Sequence, residues 1–145
     1  MVEVSSDILE GHAMAKKALA HAYAPYSNFK VGCALKVFGD DRIHIGCNVE
    51  NVVSPSGICA ERAAISALFG EKDPSLIKLR WIVVVSDSTL GDVPCGMCQQ
   101  VLAEFSDPDL PIYIGNLQEL KACHSLRDLR PLNYVFPHRK DQLDS

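Results

Sequence analysis

The chain has 145 residues, 48% of them hydrophobic and 22% charged, which suits one soluble domain with a sizeable core. Its formal net charge is −4, whereas a protein that grips polymeric nucleic acid or an anionic membrane carries a basic excess. A small-molecule substrate is therefore the expectation. The opening "MVEVSSDILEGH" has no basic start and no apolar run, so no secretory signal is expected there, and no apolar stretch approaches a membrane span. A reducing cytosol is the expected compartment. Six cysteines in that setting are metal ligands, reactive thiols or core residues rather than disulfides.

Residues 5 to 22 read as a first helix, with Ser6 as its cap and an apolar face of Ile8, Leu9, Met14, Ala18 and Leu19. His12 and His21 fall on the opposite face, expected to be solvated. "YAPYSNF" reads as an ordered loop. From Phe29 to Phe38 the residues alternate, with Phe29, Val31, Cys33, Leu35 and Val37 on one side. The turn "GDDR" and then "IHIGCNV" complete a strand hairpin. "GICAERAAISALFG", 57 to 70, is apolar nearly all round and reads as a buried helix. "RWIVVVS", 80 to 86, is a buried strand, with Trp81 in the core. "CGMCQQVLAEF", 95 to 105, is a helix facing inward through Cys98, Val101, Leu102 and Phe105, and "PIYIG" is another strand. Residues 119 to 136 hold a short strand or helix pieces that pattern alone does not separate, and "HRKDQLDS" reads as a charged tail. The order αββαβαβ points to a mixed sheet with helices on both faces.

The helix at 57 to 70 begins with a thiol, a carboxylate and a guanidinium, an odd start for a core helix. A second helix begins with Cys95, and Cys98 follows one turn on. Helix N-termini carry a partial positive charge that favours thiolates. If two parallel strands feed these helices, their starts converge at one edge of the sheet. Cys59, Cys95 and Cys98 then form a zinc site with three protein ligands and an open position, the arrangement of catalytic zinc. Glu61 shares the inward face with Ile65 and Leu68, so it can stand beside a zinc-activated water and carry its proton. A capping box does not explain it, because Ile58 occupies the position that would need Ser or Thr. Three thiolates and one Zn²⁺ leave a charge of −1, which Arg62 can offset by bonding a ligand sulfur.

Taken together, "AYAPYSNFKVG", "GCNVEN", "GICAER" and "PCGMCQQVLAEF" resemble the small, homotetrameric, zinc-dependent cytidine deaminases, over about residues 5 to 136. The "CAE" and "PCGMC" elements match the general signature of zinc nucleobase deaminases. The resemblance implies an α/β fold of three αβα layers around a mixed five-stranded sheet. It implies one catalytic domain over residues 1 to 136, with 137 to 145 as the tail. It also implies hydrolytic deamination of cytidine and 2′-deoxycytidine to the uridines, with release of ammonia, as a step of pyrimidine salvage in the cytoplasm. One zinc per chain would be held by Cys59, Cys95 and Cys98, with Glu61 as proton shuttle. Phe29 would pack the base, the backbone near Ala60 would read its edge, and Asn48 and Glu50 would bind the ribose hydroxyls. Phe136, or Tyr134 at a similar offset from Pro131, would stack on a base in a neighbouring subunit. A carboxylate at Glu50 would also repel a 5′-phosphate, which favours a free nucleoside.

The chain departs from the family pattern at three places. Gln99 stands where an arginine is common, Lys30 where a proline is common, and Ser54 where an aromatic often reaches a neighbouring site. Rival readings also exist. A C-x-x-C opening a helix fits a dithiol oxidoreductase. A structural zinc site would need a fourth ligand from Cys33, Cys47, Cys123 or His124, although these cysteines read first as small core residues. Another cytosine nucleoside, such as blasticidin S, is the alternative substrate. Without the family pattern, Asn48 and Glu50 read as turn residues and Phe29 as core.

Overall fold

The computed structural model describes residues 4 to 134, so the tail expected at 137 to 145 lies outside the described residues. In chain order the elements are α1 (Ser6–Leu19), β1 (Val31–Val37), β2 (His44–Cys47), α2 (Ala60–Phe69), β3 (Leu79–Ser86), α3 (Gly96–Glu104), β4 (Pro111–Gly115), β5 (Leu120–Ser125) and α4 (Leu126–Leu129). Short 3-10 turns occupy Ser54–Ser56 and Pro74–Leu76. Among the described residues no helix is long and apolar enough to cross a membrane.

The strands form one sheet in the order β2-β1-β3-β4-β5. β1 is antiparallel to both β2 and β3, β3 is parallel to β4, and β5 returns antiparallel. Consequently β2, β3 and β4 run the same way, and α2 and α3, which follow β2 and β3, both start at one edge. The two strands are not neighbours, because β1 lies between them.

Alternation along the strands splits the core into two layers. Cys33, Leu35, Val37, Ile82, Val84, Ile112 and Ile114 face α2 and α3, where Ala60, Ala64, Ile65, Leu68 and Leu102 complete the layer. Ala34, Trp81, Val83 and Val85 face α1 through Ile8, Ala15 and Leu19. With helices on both faces, every residue of β3 except Arg80 is buried. α2 lies hard against β2: a Cβ on Gly46 would stand 2.4 Å from Ala64 N and 2.5 Å from Ala60 O, so glycine there permits the close approach.

Several expectations are corrected. Leu9 is 57% exposed, and α1 buries Gly11, His12 and Ala15 instead. His12 is not on a solvated face: it is buried and its Nε2 donates to the Asn116 carbonyl at 2.8 Å. Ser6 does not cap α1; Ser5 holds the cap position, and its carbonyl rather than its side chain accepts the first amides. Cys123 lies exposed on the edge strand β5 and Cys47 is half-buried on the opposite edge, so of these cysteines Cys33 alone is fully buried. The region from 119 that pattern alone leaves open forms β5 and then α4 within the described residues. A capping box opens α4, with Ser125 Oγ accepting from Asp128 N and Asp128 Oδ2 accepting from Ser125 N.

Candidate active site

Cys59 and Cys95 occupy the N-cap positions of α2 and α3, both with extended backbone, and neither side chain caps its helix. Their carbonyls accept the first helical bonds, from Ala63 N at 3.0 Å and Gln99 N at 2.9 Å. The thiols are thereby left beside uncapped helix N-termini, in an electropositive setting. Cys98, one turn into α3, is fully buried and points to the same place.

The sulfurs of Cys59, Cys95 and Cys98 lie within 4.8 Å of one another, and those of Cys59 and Cys95 are 3.9 Å apart. Tetrahedral zinc with Zn–S bonds of about 2.3 Å places its sulfurs about 3.8 Å apart, so the Cys59–Cys95 separation matches the ion's size. Among the described residues no other group of histidines, cysteines and acids makes such a cluster, and no fourth side chain joins it. The candidates for a structural fourth ligand, Cys33, Cys47, Cys123 and His124, stay outside. The donor chemistry agrees. The Cys98 thiol, then the Arg62 guanidinium and the Cys95 thiol, pull the Cys59 thiol down to about 5 against the burial that opposes its ionisation. The same partnership with Cys59, together with burial, pushes Cys98 up. Three adjacent thiols cannot all ionise unless a cation neutralises them, which is what a metal does. The residues present therefore fit zinc.

Glu61 sits in the first turn of α2, 4% exposed. Burial holds its carboxyl above the usual carboxylate range, with the nearby Cys59 charge adding to the rise. The Cys98 thiol donates to its Oε2 at 3.5 Å. Arg62 donates through Nη2 to the Gly57 carbonyl at 3.4 Å, and its Nε is buried without a hydrogen-bond partner. A buried, unpaired donor beside three sulfurs is where a ligand-bearing site leaves capacity unused.

A cleft of about 610 Å³ opens beside the cluster, lined among others by Asn48, Glu50, Val52, Ile58, Cys59 and Arg62. It brings the expected sugar-binding pair, Asn48 and Glu50, to one of the expected metal ligands, Cys59. Phe29, 37% exposed, is not among the lining residues, and Ala60 is buried behind Cys59. Tyr134 is exposed at 66%, whereas Phe136 lies outside the described residues.

Asn48 and Glu50 also hold the loop that carries Phe29. Asn48 Oδ1 accepts from Val31 N at 2.9 Å, and its Nδ2 donates to the Phe29 carbonyl at 2.8 Å. Glu50 Oε1 accepts from Tyr26 N at 2.9 Å and Ser27 N at 3.1 Å, and its Oε2 accepts from Ser27 Oγ at 2.5 Å. These bonds, the Ser27 hydroxyl foremost, lower the Glu50 pKa and keep it a carboxylate. Sequence reasoning missed Ser27. Its signal was local, since a serine two residues before Phe29 can accept that residue's amide, and it does so at 3.0 Å. Gln99, the departure beside the ligands, donates to the Pro94 carbonyl at 2.7 Å. It thus steadies the approach to Cys95 without a charge.

Comparison with known proteins agrees with this geometry. Residues 5 to 114 match the family model of the cytidine and deoxycytidylate deaminase zinc-binding region. The chain is similar to a cytidine deaminase of Sporosarcina psychrophila, 41% identical over 73% of this chain and 75% of that protein. It is also similar to one of Mycobacterium tuberculosis, 42% identical over 77% and 80%. Among solved structures, the cytidine deaminase of Burkholderia pseudomallei superposes with a TM-score of 0.78 at 38% identity, covering 90% of this chain and all of that one.

Proposed function

The chain belongs to the cytidine and deoxycytidylate deaminase family, and from that premise we propose that it hydrolyses cytidine and 2′-deoxycytidine to uridine and 2′-deoxyuridine, releasing ammonia. The single observation that carries the reading is the cluster of Cys59, Cys95 and Cys98 with a buried Glu61 against it. Cys59, Cys95 and Cys98 hold one zinc per chain. Bound there, zinc supplies a hydroxide nucleophile at neutral pH by lowering the pKa of water to about 7.

The protein's own groups do the rest. Glu61 takes up the proton that the attacking water sheds and delivers it to N3 of the cytosine ring. The water oxygen bonds C4, and its remaining proton passes through the same carboxylate to the 4-amino group, which leaves as ammonia as the C4–N bond breaks and the C4 carbonyl forms. Arg62 offsets the negative charge of the thiolates. Phe29 and the Ala60 backbone hold the base, and Asn48 and Glu50 take the ribose hydroxyls with lone pairs the loop bonds leave free. The Glu50 charge, supported by its depressed pKa, favours a nucleoside over a nucleotide or a polymer.

Neither rival is favoured. A redox pair needs two thiols, and the third sulfur and Glu61 have no part in it. Blasticidin S lacks the ordinary ribose that Asn48 and Glu50 suit. The working assembly is a homotetramer in the cytoplasm, serving pyrimidine salvage, with Phe136 or Tyr134 completing a neighbour's site. Large apolar side chains left in solvent near the cleft, Val52 at 78% and Val53 at 58% exposure, support burial by further copies. The test is the ultraviolet loss of cytidine with wild type and Glu61→Ala. Turnover by wild type alone is expected, and equal rates in both contradict the mechanism.

A further inference from the structure

Cys95 reaches the sulfur cluster at the end of a segment, 87 to 94, that belongs to no helix or strand. A sulfur that must meet two others within a fraction of an ångström needs its carrier held from outside. Thr89 O accepts from Asn116 Nδ2 at 2.8 Å. Gly91, with φ +76°, lies so close to the end of β4 that a Cβ there would stand 2.9 Å from Ile114 Cγ2 and 3.1 Å from Gly115 O. Asp92 Oδ2 accepts from the buried Ser86 Oγ at 2.6 Å. Each contact fastens the segment to the C-terminal edge of the sheet.

Asn116, in the turn between β4 and β5, is buried, at 5% exposure. Its side chain is fully engaged. Oδ1 accepts from Gln118 N and Glu119 N, both at 2.9 Å, while Nδ2 reaches Thr89. Its main-chain carbonyl accepts from the buried His12 of α1 at 2.8 Å. One amide therefore ties the ligand-bearing segment to a turn and, through that turn, to a helix on the far face of the sheet. Turn closure needs only Oδ1; the bond to Thr89 serves the segment.

We infer that Asn116 is a positioning residue for the metal centre: with Gly91 it clamps segment 87 to 94 on the end of β4 and so sets where the Cys95 sulfur stands. The inference rests on reading Cys59, Cys95 and Cys98 as zinc ligands, and not on which nucleoside is the substrate.

The test uses the zinc-loaded full chain with Asn116→Asp and Gly91→Ala. Asn116→Asp keeps an acceptor for the two turn amides and replaces the donor to Thr89 with an oxygen. Zinc release to a chromogenic chelator, steady-state kinetics on cytidine and thermal melting are measured together. Zinc should leave at least about tenfold faster in each variant, with kcat lowered and KM near wild type, because Asn48 and Glu50 stand on another segment. A variant that fails to fold is replaced by Asn116→Gln, which keeps the amide and displaces it by one methylene, with the same result expected. Wild-type zinc release in the folded variants overturns the inference, even if melting shifts, since that marks a purely structural role. A wild-type chain that holds no zinc overturns the metal reading and this inference with it. A chain that holds zinc but leaves cytidine unchanged sinks the substrate reading, while the chelator measurement still decides the clamp.

Discussion

The two ends of α2 are built from the same kinds of side chain and treat them in opposite ways. Beyond its C-terminal end Lys72, Arg42, Glu71 and Asp40 all stand in ion pairs. Lys72 Nζ lies 2.7 Å from Asp40 Oδ2, His44 Nε2 lies 2.9 Å from the same carboxylate oxygen, and Arg42 Nη2 lies 3.1 Å from Glu71. At its N-terminal end Arg62 keeps a buried donor without a partner, Glu61 is a buried carboxyl, and three thiols crowd together. Paired charges secure the hairpin to the helix. The unused Arg62 donor and the crowded thiols mark the end whose residues fit a metal.

Four substitutions can break or sharpen that contrast. Cys98→Ala should be the most damaging, removing zinc from the purified protein and cytidine turnover with it; metal analysis beside an activity assay reads both. Glu61→Gln should keep zinc and the fold and lower kcat by about 10²- to 10⁴-fold, the scale of a lost proton shuttle. Arg62→Gln should keep zinc and lower turnover by about tenfold to a hundredfold; unchanged kinetics in the zinc-replete variant would remove Arg62 from the mechanism.

The smallest effect on activity belongs to the other end of the helix. Lys72, the Arg42 amide and His44 hold the Asp40 carboxyl well below the usual carboxylate range. A depressed pKa stabilises the fold fully above the unfolded value, about 3.9, and the benefit is lost progressively as pH falls from there through the much lower folded value. Asp40→Asn should therefore lower the melting temperature at pH 7, with the gap from wild type constant down to about pH 5 and narrowing as pH falls from about 4 toward 2, and with turnover at pH 7 unchanged. A gap that stays constant over that lower range would contradict the assignment.

Much of the functional end was legible in the sequence because its signals are local. Cys59, Glu61 and Arg62 interrupt an otherwise apolar helix, and Cys95 and Cys98 share one turn of another. The β-branched run at 80 to 86 likewise announced a doubly covered strand. What pattern could not give were partners distant in sequence. His12 reads as a polar residue on a helix and is buried because a carbonyl 104 positions away accepts its proton. Asn48 and Glu50 were read toward the sugar, while their bonds to the backbone at 26 to 31 depend on how the loop returns. β5 was obscure because "LKACHS" lies half-exposed at an edge and lacks the apolar alternation of a covered strand, although the capping box of α4 was there to be read in "SLRD".

The central claim is that three sulfurs hold the metal and leave one position open beside a carboxylate. X-ray absorption at the zinc edge on the purified wild-type chain tests it most directly. The account predicts one zinc per chain with three sulfurs at about 2.3 Å and a single oxygen or nitrogen neighbour. A fourth sulfur, or a chain that purifies without zinc and cannot take it up, would contradict it.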